Sequence, residues 1–129
     1  MESGNKIRVL LVDDDIRVRE TLSSILKQYS NIEVVGEASD GDEAVTNVGT
    51  LQPTVVVMDI TMKKMDGITA ARLIKAQYPS VLVVGCSAHT EEYNLYAMKR
   101  VCAFEALLKK EDVAEHLYPA IQRVTAAVS

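Results

Sequence analysis

Polar residues stand directly after four apolar runs of this chain: Asp13-Asp14 after Ile7 to Val12, Asp59 after Thr54 to Met58, Ser87 after Val81 to Cys86, and Lys109 after Ala103 to Leu108. Three carboxylates, a hydroxyl and an ammonium can together carry phosphoryl chemistry. A carboxylate attacks phosphorus poorly unless positive charge neutralises the nucleophile and the phosphoryl oxygens. An aspartate that accepts phosphate therefore needs a divalent metal and a fixed positive group. An acidic pair plus a third carboxylate suits magnesium, which takes oxygen ligands and keeps several waters. Without metal the carboxylates repel one another, which raises the proton affinity of at least one and favours cation capture.

Residues so far apart in sequence meet only if the elements bearing them are laid side by side. The apolar runs alternate with segments of helical period, the pattern of βαβ units with a parallel sheet covered on both faces. Five units are predicted. After the first strand, Val18, Leu22, Ile25, Leu26 and Tyr29 fall at helical spacing, and Asn31 breaks that pattern before a second strand at Ile32 to Ala38. Asp40-Gly41-Asp42 turns the chain into a short helix near Glu43 to Val48, and Pro53 opens the third strand. Gly67 starts a third helix, followed by Pro79. A fourth, at Glu91 to Lys99, lacks a clean apolar face. The fifth carries Val113, Leu117, Ala120, Ile121, Val124 and Val128 on one stripe, which Pro119 interrupts and is expected to kink. In such open sheets ligands bind just beyond the carboxyl ends of the strands, where the polar residues stand.

The 129 residues amount to one domain, 1–129, long enough to bury a core without staples. A net charge of -4 argues against a nucleic-acid-binding surface, which relies on clustered Lys and Arg, so any DNA-binding output is expected elsewhere. No apolar run approaches the ~20 residues of a membrane span. The opening Met1 to Lys6 lacks the apolar core of a signal peptide, so the chain is expected to be cytoplasmic. Cys86 and Cys102 are too few for a structural zinc site and fall at opposite ends of the sheet, and free thiols are expected.

Taken alone, each polar residue has an ordinary structural reading. Asp13 to Asp15 could cap the first helix, a role that suits Asp15, while Asp59 could be a turn residue, Ser87 a loop hydroxyl and Lys109-Lys110 a solvated pair. His89 and His116 read as solvent-facing, and Met58, Met62 and Met65 as packing residues. Together the structural readings need four coincidences at strand ends.

The segments V-D-D-D at 12 to 15, M-D-I-T-M-x-x-M-D-G from Met58 to Gly67, C-S-A-H at 86 to 89 and L-L-K at 107 to 109 resemble the receiver domain of two-component response regulators. The resemblance covers nearly the whole chain, and four-part agreement is far more specific than any one motif. It implies a flavodoxin-like (βα)5 fold, doubly wound, with a parallel five-stranded sheet of order 2-1-3-4-5. Carried over residue by residue, it makes Asp59 the phosphoacceptor, with Asp14, Asp59 and the Thr61 carbonyl as direct Mg2+ ligands and Asp13 acting through bound water. Ser87 would hydrogen-bond a phosphoryl oxygen, Lys109 would pair with the phosphoryl group, and the small Ala88 would leave that group accessible. The implied partner is a histidine kinase or phosphotransfer protein, and the face of the fourth helix, fifth strand and fifth helix offers a dimer surface. The domain would promote its own phosphorylation and dephosphorylation without acting on another substrate.

Departures from the family pattern accompany the likeness. Lys63-Lys64 replace the usual proline and glycine and predict altered phosphorylation or dephosphorylation rates. Ala106 stands where many receivers carry an aromatic rotor, which predicts altered coupling or a substitute at Tyr93 or Tyr96. Cys102 and Glu105 precede the last strand where glycine is common, and predict a less tightly turned approach. Glu33 to Ala38 is similar to receivers joined to LuxR-type helix-turn-helix outputs, whereas Gly85 to His89 and Ala106 are similar to receivers of hybrid sensor histidine kinases. Two other classes compete. A haloacid-dehalogenase-type phosphohydrolase also forms aspartyl phosphate but wants a second Asp two residues after the nucleophile, where Thr61 cannot serve as an acid. A phosphorylation-independent interaction domain would not need all five pocket residues.

Overall fold

The computed structural model describes residues 6–62, 64–87 and 104–128. Five parallel strands, β1 (Ile7–Val12), β2 (Ile32–Ala38), β3 (Val55–Asp59), β4 (Leu82–Ser87) and β5 (Ala106–Lys109), form one sheet of order β2-β1-β3-β4-β5. The helices are α1 (Ile16–Leu26), α2 (Gly41–Leu51), α3 (Gly67–Gln77) and α4 (Val113–Ala126), the last entered through a 3-10 turn at Lys110–Asp112. This is the flavodoxin-like architecture expected from the sequence. The helical segment expected at Glu91 to Lys99 lies outside the described residues, as do Ala88, Cys102, Lys63, and part of the anticipated dimer face.

Register brings the polar strand ends to one level. Val12 pairs with Met58, Asp59 with Cys86 and Ser87 with Lys109, so Asp13 and Asp59 leave adjacent strands side by side. Side chains alternate between the two faces of the sheet. Val9, Leu11, Val55, Val57, Leu82, Val84, Cys86 and Ala106 pack on one face with Leu22 and Leu26 of α1 and Leu117 and Ile121 of α4. Leu10, Val12, Val56, Met58 and Val83 pack on the other with Ala44 and Val48 of α2 and Ala70, Ala71 and Ile74 of α3. Truncating one of the fully buried residues, such as Leu11, to Ala would cost about 2–5 kcal/mol. On the α1/α4 side, Tyr29 and Tyr118 stack with ring centroids 3.6 Å apart.

Three of the four described helices start on a capping aspartate. Asp15 accepts the Arg17 N–H at 2.9 Å, Asp40 that of Glu43 at 2.8 Å and Asp66 that of Thr69 at 2.8 Å, each filling an otherwise unmet donor of the first turn. The capping role expected of Asp15 is thus its structural role. The second helix is longer than the span around Glu43 to Val48. It starts just after its Asp40 cap, and it stops where Gln52, at φ 50°, turns left-handed and donates to the Val48 carbonyl. The helix α4 runs continuously across Pro119, which lies on the exposed side of the helix, off the apolar stripe. Its missing N–H therefore leaves a carbonyl that water can reach.

Candidate functional site

At the carboxyl end of the sheet the ammonium of Lys110 stands between two buried aspartates. Its Nζ lies 3.0 Å from Asp13 Oδ2 and 3.3 Å from Asp59 Oδ2. Asp13 and Asp59 are only 1% and 3% exposed, so both carboxylates have left water. Their remaining oxygens are held locally: Asp13 Oδ1 accepts the Asp15 N–H at 2.9 Å and Asp59 Oδ1 the Thr61 N–H at 3.1 Å. The Asp13 backbone is fixed in turn, its N–H donating to Ala38 and its carbonyl accepting from Arg19 Nη1 at 2.6 Å. Asp14 is exposed, yet one carboxylate oxygen each of Asp13, Asp14 and Asp59 lies within 4.8 Å of the other two.

The loop after Asp59 is folded back hard on β3. Gly67 donates its N–H to the Ile60 carbonyl at 2.8 Å, and a Cβ at Gly67 would meet the Asp59 carbonyl oxygen at 2.3 Å and Ile60 Cα at 2.7 Å. Backbone meets backbone there, so only glycine fits. In the same loop, Lys64 reaches Asp40 at 3.7 Å over a shallow depression shared with Asp14 and Ser39, and its side chain is mostly exposed.

Charge is unbalanced in this pocket. Burial, and then the neighbouring Asp13 carboxylate, raise Asp59 to about 6, against the lowering pull of Lys110 and the Thr61 N–H. Burial also opposes the charge on Lys110, but the two carboxylates outweigh it and hold the ammonium above the usual lysine value. Among the described residues one lysine faces three clustered carboxylates, and a set of hard oxygen donors with surplus negative charge fits a divalent cation such as Mg2+. Beside the carboxylates a cleft of about 380 Å³ runs between α1 and the start of α4, with Val18, Leu22, Val57, Cys86 and Val113 among its lining. Cys86 is a free thiol, as expected, and burial pushes it up to about 12, leaving it protonated and inert.

The expected site residues do not all converge. Asp13, Asp14 and Asp59 do, and Ser87, 1% exposed, ends the neighbouring strand β4. Thr61 lies two residues beyond Asp59 and touches its carboxylate through its N–H. Lys109 is not in the pocket: it is exposed at the end of β5, and Lys110 takes the place expected of it. The reason is the two-residue alternation of strands. Ala106 and Leu108 face the α1/α4 side and Leu107 the α2/α3 side. Continuing that alternation, Lys109 falls with Ser87 and Lys110 with Asp13 and Asp59. Ala106 is buried toward α4, whereas Leu107, beside Phe104, occupies the α2/α3 side over Gly85.

Residues 9–122 match the response regulator receiver domain. The chain belongs to that family. It is 38% identical over 109 residues to the transcriptional regulatory protein LiaR of Bacillus subtilis, covering 84% of this chain and 52% of that one. It is 45% identical over 86 residues to a protein-glutamate methylesterase/protein-glutamine glutaminase of Oleidesulfovibrio alaskensis, covering 67% of this chain and 24% of that one. Among solved structures, the signal receiver domain of the putative response regulator NarL from Mycobacterium tuberculosis superposes with a TM-score of 0.86 at 28% identity, covering 93% of this chain and 96% of that one. The chain thus spans about a quarter to a half of the length of these curated relatives. As a receiver domain of two-component signalling it is not a dehalogenase-type hydrolase, and no described helix is long and apolar enough to cross a membrane.

Proposed function

We propose that this receiver domain accepts a phosphoryl group on Asp59 from a phosphohistidine of a partner kinase or phosphotransfer protein. The observation that carries the reading is the Asp59 carboxylate, buried at the end of β3 and facing both Asp13 and the Lys110 ammonium. An Asp59 oxygen forms the new bond to phosphorus as the phosphorus–nitrogen bond to the donor histidine breaks, and the imidazole keeps the electron pair. Lys110 balances the charge gathering on the phosphoryl oxygens, and the Ser87 hydroxyl is the group at the end of β4 suited to follow one of them. Asp13, Asp14, Asp59 and the Thr61 carbonyl would hold Mg2+, which supplies charge neutralisation at the phosphoryl group. The acyl phosphate then biases two arrangements of the domain, and the output lies in an attached domain or a separate partner. Beyond accepting and hydrolysing its own phosphate the chain needs no catalytic activity, and it would work in the cytoplasm.

Intact-mass measurement after incubation with acetyl phosphate and Mg2+ should show one phosphoryl adduct in the wild type and none in Asp59→Asn. An adduct of undiminished yield in Asp59→Asn would refute the assignment.

A further inference from the structure

Away from the carboxylate pocket, Glu105 stands immediately before β5 and is tied to β4 by both its backbone and its side chain. Its N–H donates to the Val83 carbonyl at 2.8 Å, and its Oε1 accepts the Val83 N–H at 2.7 Å. A side-chain oxygen thus stands in for a strand carbonyl. Glu105 Oε2 pairs with Lys75 Nζ of α3 at 2.6 Å, and the same Nζ donates to the Val81 carbonyl at 2.7 Å. Both side chains are largely buried. Three bonds at Glu105 therefore pin one end of a four-residue strand whose other end delivers Lys110, and a fourth, from Lys75 to Val81, anchors the lysine.

The sequence of β5 makes such a pin consequential. Leu107-Leu108 and Lys109-Lys110 are doublets, so a slip by one residue would put Lys109 where Lys110 stands and Leu107 where Leu108 stands. A short strand that, among the described residues, lies at the sheet edge and pairs on one side has a weakly specified register, and a one-residue slip exchanges its faces. Two features oppose the slip. Ala106 would replace Leu107 over Gly85, where the leucine Cδ2 now lies 2.8 Å from the position of an added Cβ. Glu105 would enter the site of Ala106, which is 3% exposed, and an unpaired carboxylate there is costly.

We propose that Lys75 and Glu105 are positioning residues that hold the register of β5 and thereby select Lys110 over Lys109 as the cation of the carboxylate pocket. This deepens the phosphoryl-acceptor reading, but the register can be measured in unphosphorylated protein, so the two stand or fall separately. Brief acetylation of the folded chain with an N-hydroxysuccinimide ester, followed by peptide fragmentation, reads the protection of each lysine. In the wild type Lys109 should react faster than the ion-paired Lys110. In Glu105→Ala the ratio of Lys109 to Lys110 reactivity should fall about tenfold, the scale of one lost hydrogen bond, with Lys109 becoming the protected residue in the slipped population. Lys75→Met, which spares the bonds from Glu105 to Val83, should lower the ratio less. Glu105→Gln, which retains an acceptor for Val83 and a polar group unsuited to the Ala106 site, should largely restore it. An unchanged ratio in both Glu105→Ala and Lys75→Met would overturn the proposal. So would both lysines of Glu105→Ala reacting as fast as the exposed Lys27, because that marks loosening rather than a change of register. Protection of Lys109 in the wild type would overturn it as well.

Discussion

The carboxylate side of the pocket and its lysine side are built on different principles. Asp13 and Asp59 leave β1 and β3, central strands with neighbours on both sides and apolar residues packed on both faces. In such strands a shift by one residue would expose or overfill every layer, so packing already restricts where each carboxylate emerges, and the local hydrogen bonds to Asp13 and Asp59 complete the placement. Lys110 leaves β5, a short edge strand with Leu107 and Leu108 only partly buried and two lysines in tandem. Packing discriminates weakly there, and specific bonds from Glu105 and Lys75 supply what packing does not. The pocket is therefore placed by central-strand packing on its anionic side and by specific bonds at a strand edge on its cationic side.

The strongest way to break the anionic side is to remove its charge. Asp14→Ala and Asp13→Ala should each weaken Mg2+ binding by about tenfold or more, with Asp14→Ala the larger loss if it is the direct ligand, as calorimetry can measure. Equal affinity in wild type and Asp14→Ala would refute its place in the metal set. Metal affinity should also fall with pH by about tenfold per unit below pH 6, because binding must displace the proton that Asp59 holds up to about 6.

A second prediction attacks the backbone that carries Asp59. Gly67→Ala should destabilise the fold by about 2–3 kcal/mol, since its Cβ would collide with the Asp59 and Ile60 backbone, which cannot yield. Gly36→Ala should cost less, because the nearest obstacle is the Leu51 methyl at 2.6 Å, the end of a flexible side chain. Urea denaturation of the two variants checks the ranking.

A smaller effect concerns stability without metal. The folded chain keeps the Asp59 proton to about pH 6 while the unfolded chain releases it near 3.8, so stability contributed by this group is present below 3.8 and lost as pH rises through 6. Asp59→Asn cannot titrate. It should match the wild type at low pH and exceed it by about 1–2 kcal/mol at pH 7, less than the full shift implies because solvent at the open end of the pocket screens part of it. Equal stability of the two proteins at pH 7 would mean that Asp59 is not held against charge repulsion.

Much of this molecule was legible in its sequence, for reasons that also explain the exceptions. The strand at Ile7 to Val12 coincides with its apolar run, because a central strand packed on both faces leaves a nearly continuous apolar signature, whereas the edge strand Ile32 to Ala38, with Glu33 and Glu37 exposed, is marked instead by the break at Asn31 before it. The convergence of Asp13, Asp14 and Asp59 followed from position at strand ends. The span of α2 was less legible, since its length is decided by a left-handed Gln52 that no apolar period announces. Which of Lys109 and Lys110 faces the carboxylates is not legible in the sequence for a related reason. Likeness to a motif counts residues along the chain, whereas the pocket selects a face, and only the alternation from Ala106 onward distinguishes them. Glu105 stands where glycine is common, and its bond to Val83 is legible only with the register of β4 and β5.

The central claim is that Lys110 is the cation completing this pocket, and paired substitution tests it most directly. The rate of adduct formation from acetyl phosphate with Mg2+ should drop on the order of a hundredfold in Lys110→Ala, the scale of one lost charge-stabilising group, while Lys109→Ala stays within about twofold of the wild type. The reverse ranking, with Lys109→Ala crippled and Lys110→Ala active, would contradict the account.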